Sequence, residues 1–262
     1  MIQLLLKVCR FIKFYFRATS VRKVHSPFVY EFLENIVLNK TPYYIFKPLD
    51  SYRKLLSLNN TVLNVEDYGA GSTYSKNTNR KVASILRHSV KPRKYAELLF
   101  RMVQEWKPTT MLELGTSLGL TSMYIAKANK EGKLISVEGS HEIATFARKG
   151  FEKFDCSNIV QIVGQFDEVL PDILTENKRI DFAFVDGNHQ ESATIRYFDR
   201  LVKHVNQDTV LVFDDIHWSA GMENAWEHIK NHDSVTLSID LFEMGIVFFF
   251  KRNQKEHHLI RF

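Results

Sequence analysis

The chain has 262 residues, 45% of them hydrophobic and 25% charged, with a formal net charge of +5. That is enough apolar material for a full core, and one large domain with an appendage fits better than two equal domains. The basic residues are spread along the chain with no recognition motif, so a nucleic-acid partner is not expected. Two cysteines, Cys9 and Cys156, are too few for a disulfide framework or a thiolate metal site. Reduced thiols and a cytoplasmic location are therefore expected.

The amino-terminal stretch MIQLLLKVCRFIKFYFRATS is apolar but broken by Lys7, Arg10, Lys13 and Arg17. It is too charged to span a bilayer, and it lacks the cleavage site of a secretory signal. Basic residues every three or four positions share one helix face, opposite Leu and Phe. Two readings follow: weak contact with a membrane surface, or packing on protein, either its own domain or a second copy in a homodimer. The second reading leaves the Lys and Arg heads in water.

Next, HSPFVYEFLENIVL reads as a helix with Ser26 as N-cap and Pro27 in its first turn. Residues 41–91 are mixed and polar, and include a glycine-rich loop, DYGAGSTYS, at 67–75. This loop and His25 are expected to close over a ligand. The expected division is a mostly helical amino-terminal cap region at 1–91 and an α/β domain at 92–262.

From Tyr95 the rhythm changes. YAELLFRMVQEW reads as a helix, followed by strand TTMLELG, a helix from Leu120, strand KLISVEG, a helix from His141 and strand NIVQIVG. A short helix at 168–174 leads to strand IDFAFVDG, a helix at 191–204, strand TVLVFDDI and a helix at 222–231. Strands alternating with helices indicate βαβ units and a parallel sheet. SVTLSIDLF and GIVFFFKR then lie back to back and form an antiparallel hairpin. The expected fold class is thus α/β: a Rossmann-like, doubly wound, seven-stranded sheet with an antiparallel carboxy-terminal hairpin and a helical amino-terminal region.

Ligands of open α/β sheets sit at the carboxyl ends of the strands. The first strand ends LELGTSLGLTS, where Gly115 and Gly119 let the backbone approach a ligand and Glu113 adds a carboxylate beneath. The wide glycine spacing and the carboxylate favour a cationic ligand over a pyrophosphate. Glu138 ends the second strand, the usual place for a carboxylate that binds ribose hydroxyls, and Gly164-Gln165-Phe166 follows the third.

The ordered set ELGTSLG, VEG, VGQF, FVDGNH and VFDDIHW resembles the class I S-adenosylmethionine-dependent methyltransferases over residues 94–250. The resemblance implies that Glu113, Gly115, Ser117 and Gly119 surround the methionine part of S-adenosylmethionine. It implies that Glu138 holds the ribose and that Gly164, Gln165 and Phe166 flank the adenine. Asp186 stands at the same rim and joins the cofactor-contacting set.

One stretch, LVFDDIHW, ends a buried strand in two adjacent carboxylates. Asp186, Asp214 and Asp215 from two strand ends make an oxygen-rich site suited to Mg²⁺, Mn²⁺ or Ca²⁺. The pattern is similar to the metal-dependent O-methyltransferases of the catechol and caffeoyl-coenzyme A type. Those use an aspartate after the fourth strand and an Asp-Asn pair after the fifth. Here Asp215 stands where asparagine is usual, and His189 takes the place of a catalytic lysine three residues after Asp186. Asp186 and His189 are the expected catalytic residues, with His189 as base or metal ligand. His217 and Trp218 are expected to shape the substrate mouth. The implied activity is methyl transfer to a hydroxyl of an acceptor that the sequence does not identify. Two alternatives stand beside it: a nicotinamide-dependent oxidoreductase, and a non-catalytic membrane-surface protein with a methyltransferase fold.

Overall fold

A computed structural model describes residues 2–19, 24–66 and 78–262. The 67–75 loop lies outside the described residues. The chain divides into two compact units, residues 1–39 with 178–262, and residues 40–177. The expected amino-terminal region at 1–91 is therefore shared between the two. Among the described residues, no helix is long and apolar enough to cross a membrane.

The unit at 40–177 begins with α3 (Phe46–Ser57), β1 (Val62–Asn64), β2 (Asn79–Lys81) and α4 (Val82–Ser89). Strands β1 and β2 form a small antiparallel ribbon that the polar sequence NRK, with no alternating apolar face, does not announce. Then come α5 (Arg93–Trp106), β3 (Thr110–Leu114), α6 (Leu120–Ala128), β4 (Lys133–Glu138), α7 (His141–Lys153), β5 (Ile159–Val163) and α8 (Phe166–Glu176). Strands β3, β4 and β5 run parallel, in that order. Helix α5 buries Tyr95, Leu98, Leu99 and Met102, a stripe at helical spacing. Every residue of α6 is buried, in keeping with its apolar sequence LTSMYIAKA.

The other unit holds α1 (Ile2–Arg17), α2 (Pro27–Phe32), β6 (Phe182–Val185), α9 (Glu191–Leu201), β7 (Val210–Asp214), α10 (Ala220–Asn231), β8 (Leu237–Asp240), β9 (Met244–Phe248) and β10 (Glu256–Leu259). Its strands lie in the order β10-β8-β9-β7-β6. Strands β6 and β7 are parallel, while β9 runs antiparallel to both β7 and β8, forming the expected hairpin. Phe242 takes the turn at φ 71°, and its amide donates to Asp240 Oδ1 at 2.8 Å. Gly245 is required next to it, because a Cβ there would lie 2.5 Å from the Trp226 ring. The seven strands read from the sequence are β3 to β9. An eighth, β10, pairs in parallel with β8; its sequence EHHL offers no apolar run to reveal it.

Two local expectations change. Ser26 is extended, as an N-cap should be, but its side chain does not cap; its Oγ accepts from Arg252 Nη2 at 3.3 Å. Helix α2 passes into a π-turn over Leu33–Val37. In α1, Lys7 and Arg10 do not extend into water. Lys7 Nζ lies 3.0 Å from Glu243 and 3.7 Å from Asp215, and 4.9 Å over the Trp218 ring. Arg10 Nε meets Glu223 at 3.0 Å. Phe14 and Ala18 are buried beside Phe242, while Leu5, Ile12 and Phe16 are exposed. The unit offers three carboxylates to the basic face of the helix, a pull that the periodicity of α1 alone cannot reveal.

Candidate active site

The glycine loop is shaped by three residues of left-handed backbone: Gly115 at φ 109°, Ser117 at 47° and Gly119 at 76°. Gly119 starts α6, and a Cβ on it would lie 2.6 Å from the Phe151 ring. Beneath the loop Glu113 is fully buried. Its Oε2 accepts from Ser122 Oγ and Ser136 Oγ, both at 2.5 Å, and Ser136 Oγ also lies 2.6 Å from Thr116 Oγ1. A buried carboxylate demands such donors. These hydroxyls were not singled out in the sequence, although Ser136 is the parallel-strand partner of Glu113.

Glu138, half-buried at the end of β4, holds the loop with its carboxylate. Oε2 accepts the Ser117 amide at 2.8 Å and Oε1 the Ser140 amide at 3.0 Å. Its backbone carbonyl accepts from the Gly164 amide at 2.9 Å. Gln165 follows as the N-cap position of α8, with Phe166 as its first residue. Glu113, Gly115, Ser117, Gly119, Glu138 and Gly164 are thus tied together within one unit. Ser117 Oγ is buried and has no hydrogen-bond partner. A loop of positive-φ residues, an orphaned hydroxyl and a half-buried carboxylate at its edge suit a polar ligand carrying hydroxyls and positive charge.

In the other unit the acidic residues follow β6 and β7. Asp186, His189 and Asp214 each offer a ligand atom, all within 4.8 Å of one another. Asp214 is only 1% exposed. His189 Nε2 lies 3.8 Å from both Asp186 Oδ1 and Asp215 Oδ2. Asn188 takes φ 49° and donates through Nδ2 to Tyr197 Oη at 3.1 Å, while its Oδ1 is buried with no partner. The histidine therefore joins Asp186 and Asp214 in the tight group. Asp215 takes φ 52°, and its amide donates to the Glu243 carbonyl at 2.7 Å. Its carboxylate faces His189 on one side and Lys7 on the other. Two carboxylates, an imidazole and a buried amide oxygen nearby in sequence form a donor set that fits a divalent cation.

His217 does not have a free ring edge for a substrate. Its nitrogens bond Glu223 at 2.9 Å and Asp240 at 2.8 Å, and its ring stacks on Phe242 at 5.1 Å. Burial alone would lower its pKa, but the bonds to the two carboxylates and their charges prevail and raise it. Trp218 lies beneath the Lys7 ammonium. His25 is exposed.

Residues 112–216 match the family model described as a methyltransferase domain. The match starts inside β3 and ends just past Asp215. Its curated relatives are O-methyltransferases over part of their length. The transmembrane O-methyltransferase of Propithecus coquereli is 36% identical over 83 residues, 30% of each chain. The O-methyltransferase imqG of Aspergillus flavus is 28% identical over 130 residues, covering 47% of this chain and 51% of that one. The chain thus spans about a third to a half of these two relatives. The O-methyltransferase TomG from Streptomyces achromogenes, solved with SAM, matches with a TM-score of 0.55. The match has 19% identity and covers 63% of this chain and 83% of TomG. That likeness shows a Rossmann-like α/β fold.

Proposed function

We propose that the protein transfers the methyl group of S-adenosylmethionine to an acceptor hydroxyl, with a divalent cation held by Asp186, His189 and Asp214. The observation that carries this reading is the extent of the methyltransferase-domain match, which includes both the glycine loop and the acidic residues. The relatives' names and the SAM-bound neighbour support the same donor and the same class of acceptor atom.

Glu138 binds the ribose hydroxyls of the donor, with its orientation fixed by the amides of Ser117 and Ser140. Ser117 Oγ gives the donor's polar end a hydrogen-bonding partner. Glu113 acts from below, holding Ser122 and Ser136 so that the loop keeps its shape. In the transfer, an oxygen lone pair forms the new O–CH₃ bond and the S–CH₃ bond breaks. The electron pair returns to sulfur, leaving neutral S-adenosylhomocysteine, and the hydroxyl proton passes to solvent. A bound divalent cation would supply the positive charge that makes an acceptor hydroxyl acidic near neutral pH. Asp186, Asp214 and His189 hold that charge in place, and Asn188 Oδ1 stands beside them in sequence.

Titration calorimetry with S-adenosylmethionine and with NAD⁺, followed by transfer assays on phenolic acceptors with Mg²⁺ or chelator, tests the reading. Donor binding and Mg²⁺-stimulated transfer are expected. NAD⁺ binding without S-adenosylmethionine binding overturns it. Full transfer in chelator removes the cation and leaves Asp186 and His189 as a metal-free acid–base pair.

A further inference from the structure

Helix α1 has two unlike faces. Lys7, Arg10, Phe14 and Ala18 face their own unit through the ion pairs and packing described above. Thr19 then forms a parallel bridge to Ile260, so the helix is fixed at its end as well. Leu5, Val8, Ile12 and Phe16, spaced by three or four residues, form the opposite face. They are 64%, 46%, 50% and 80% exposed. Seven of the fifteen exposed large apolar side chains among the described residues belong to this one helix. Single exposed apolar residues need no explanation, but a continuous row on one helix does.

Charge selects what covers the row. The first thirty residues contain Lys7, Arg10, Lys13, Arg17, Arg22 and Lys23 and no acidic residue. Lys13 and Arg17 are exposed and flank the apolar row. Two copies packed face to face would bring these cations together without an acidic answer from the helix. An anionic lipid surface offers apolar chains to the row and negative headgroups to its flank. We infer that α1 binds the protein to anionic membrane surfaces through Leu5, Val8, Ile12 and Phe16, with Lys13 and Arg17 at the headgroups. The helix lies in the plane of the interface.

The test uses the full chain and flotation with phosphatidylcholine vesicles, with and without phosphatidylglycerol. Wild type is expected to float only with the anionic vesicles. The double change Ile12→Glu, Phe16→Glu should abolish flotation without altering the unfolding transition, since both side chains are exposed. Lys13→Gln with Arg17→Gln should weaken partition about 30-fold, taking about 1 kcal/mol for each cation at the surface. As a second readout, a polarity-sensitive dye on exposed Cys9, with Cys156 buried, should shift to the blue on anionic vesicles. Equal flotation of wild type and variants overturns the inference. So does an absence of binding to anionic vesicles, or a wild-type dimer that the Ile12→Glu, Phe16→Glu change splits into monomers.

Discussion

The glycine loop and the acidic rim both rest on carboxylates, but the two treat them differently. Glu113 and Glu138 accept hydroxyls and amides at 2.5–3.0 Å. Among the contacts at the rim, His189 stands 3.8 Å from two carboxylates, and Lys7 lies 3.7 Å from one. Carboxylates held by short hydrogen bonds fix a shape. At the rim Asp186, His189 and Asp214 instead bring three ligand atoms within 4.8 Å of one another, a donor set that suits a cation. In the first region negative charge holds a loop, and in the second it gathers ligand atoms at one point.

Four experiments would break or sharpen that contrast. The largest effect is expected from Asp214→Asn: Mg²⁺-stimulated transfer should fall to background, while calorimetric affinity for S-adenosylmethionine changes little. Loss of donor affinity in this variant would show that the rim does not work as a separate charge site. Next, Glu138→Ala should weaken donor binding by about 2–4 kcal/mol through two lost charge-assisted bonds. Equal affinity of wild type and variant would remove the ribose assignment. Glu113→Ala strands the Ser122 hydroxyl in the core and leaves Ser136 with Thr116 alone. It should cost about 2–3 kcal/mol in urea unfolding; an unchanged midpoint would deny the scaffold role.

The smallest effect concerns His217. Its folded-state pKa is raised above the ordinary histidine value of 6.5. The stability it contributes is therefore fully present below that value and is lost as pH rises through the folded pKa. Unfolding of wild type and His217→Phe should differ by about 1 kcal/mol at acidic pH, and the gap should close toward alkaline pH. A gap that widens with pH would reverse the sign and remove the ion-pair account.

What the sequence made legible follows from the physics of each region. Strands β3, β4 and β6 to β9 could be read because buried strands carry apolar runs, β5 because it carries such a run although it is only partly covered, and the glycine loop because residues such as Gly119 tolerate no Cβ. Asp186, His189 and Asp214 could be located by their places at strand ends. Their convergence is legible there too; what the strand ends do not announce is the left-handed backbone at Asn188 and Asp215, a conformation that Asn and Asp adopt more often than other non-glycine residues. Strand β10 was hidden because an edge strand of sequence EHHL is held by ladder bonds to β8 and not by an apolar pattern. Helix α1 packs on its own unit, one of the two arrangements its sequence allows, but Lys7 and Arg10 turn inward and not to water. Amphipathicity shows that a helix has two faces, but which face turns inward was decided by Asp215, Glu223 and Glu243, more than two hundred residues away.

The contact between Lys7 and Asp215 staples the first helix to the turn after β7. Lys7 meets Glu243 as well, at 3.0 Å. Asparagine at position 215 would therefore leave the staple in place, whereas loss of the lysine would take the cation from both carboxylates at once.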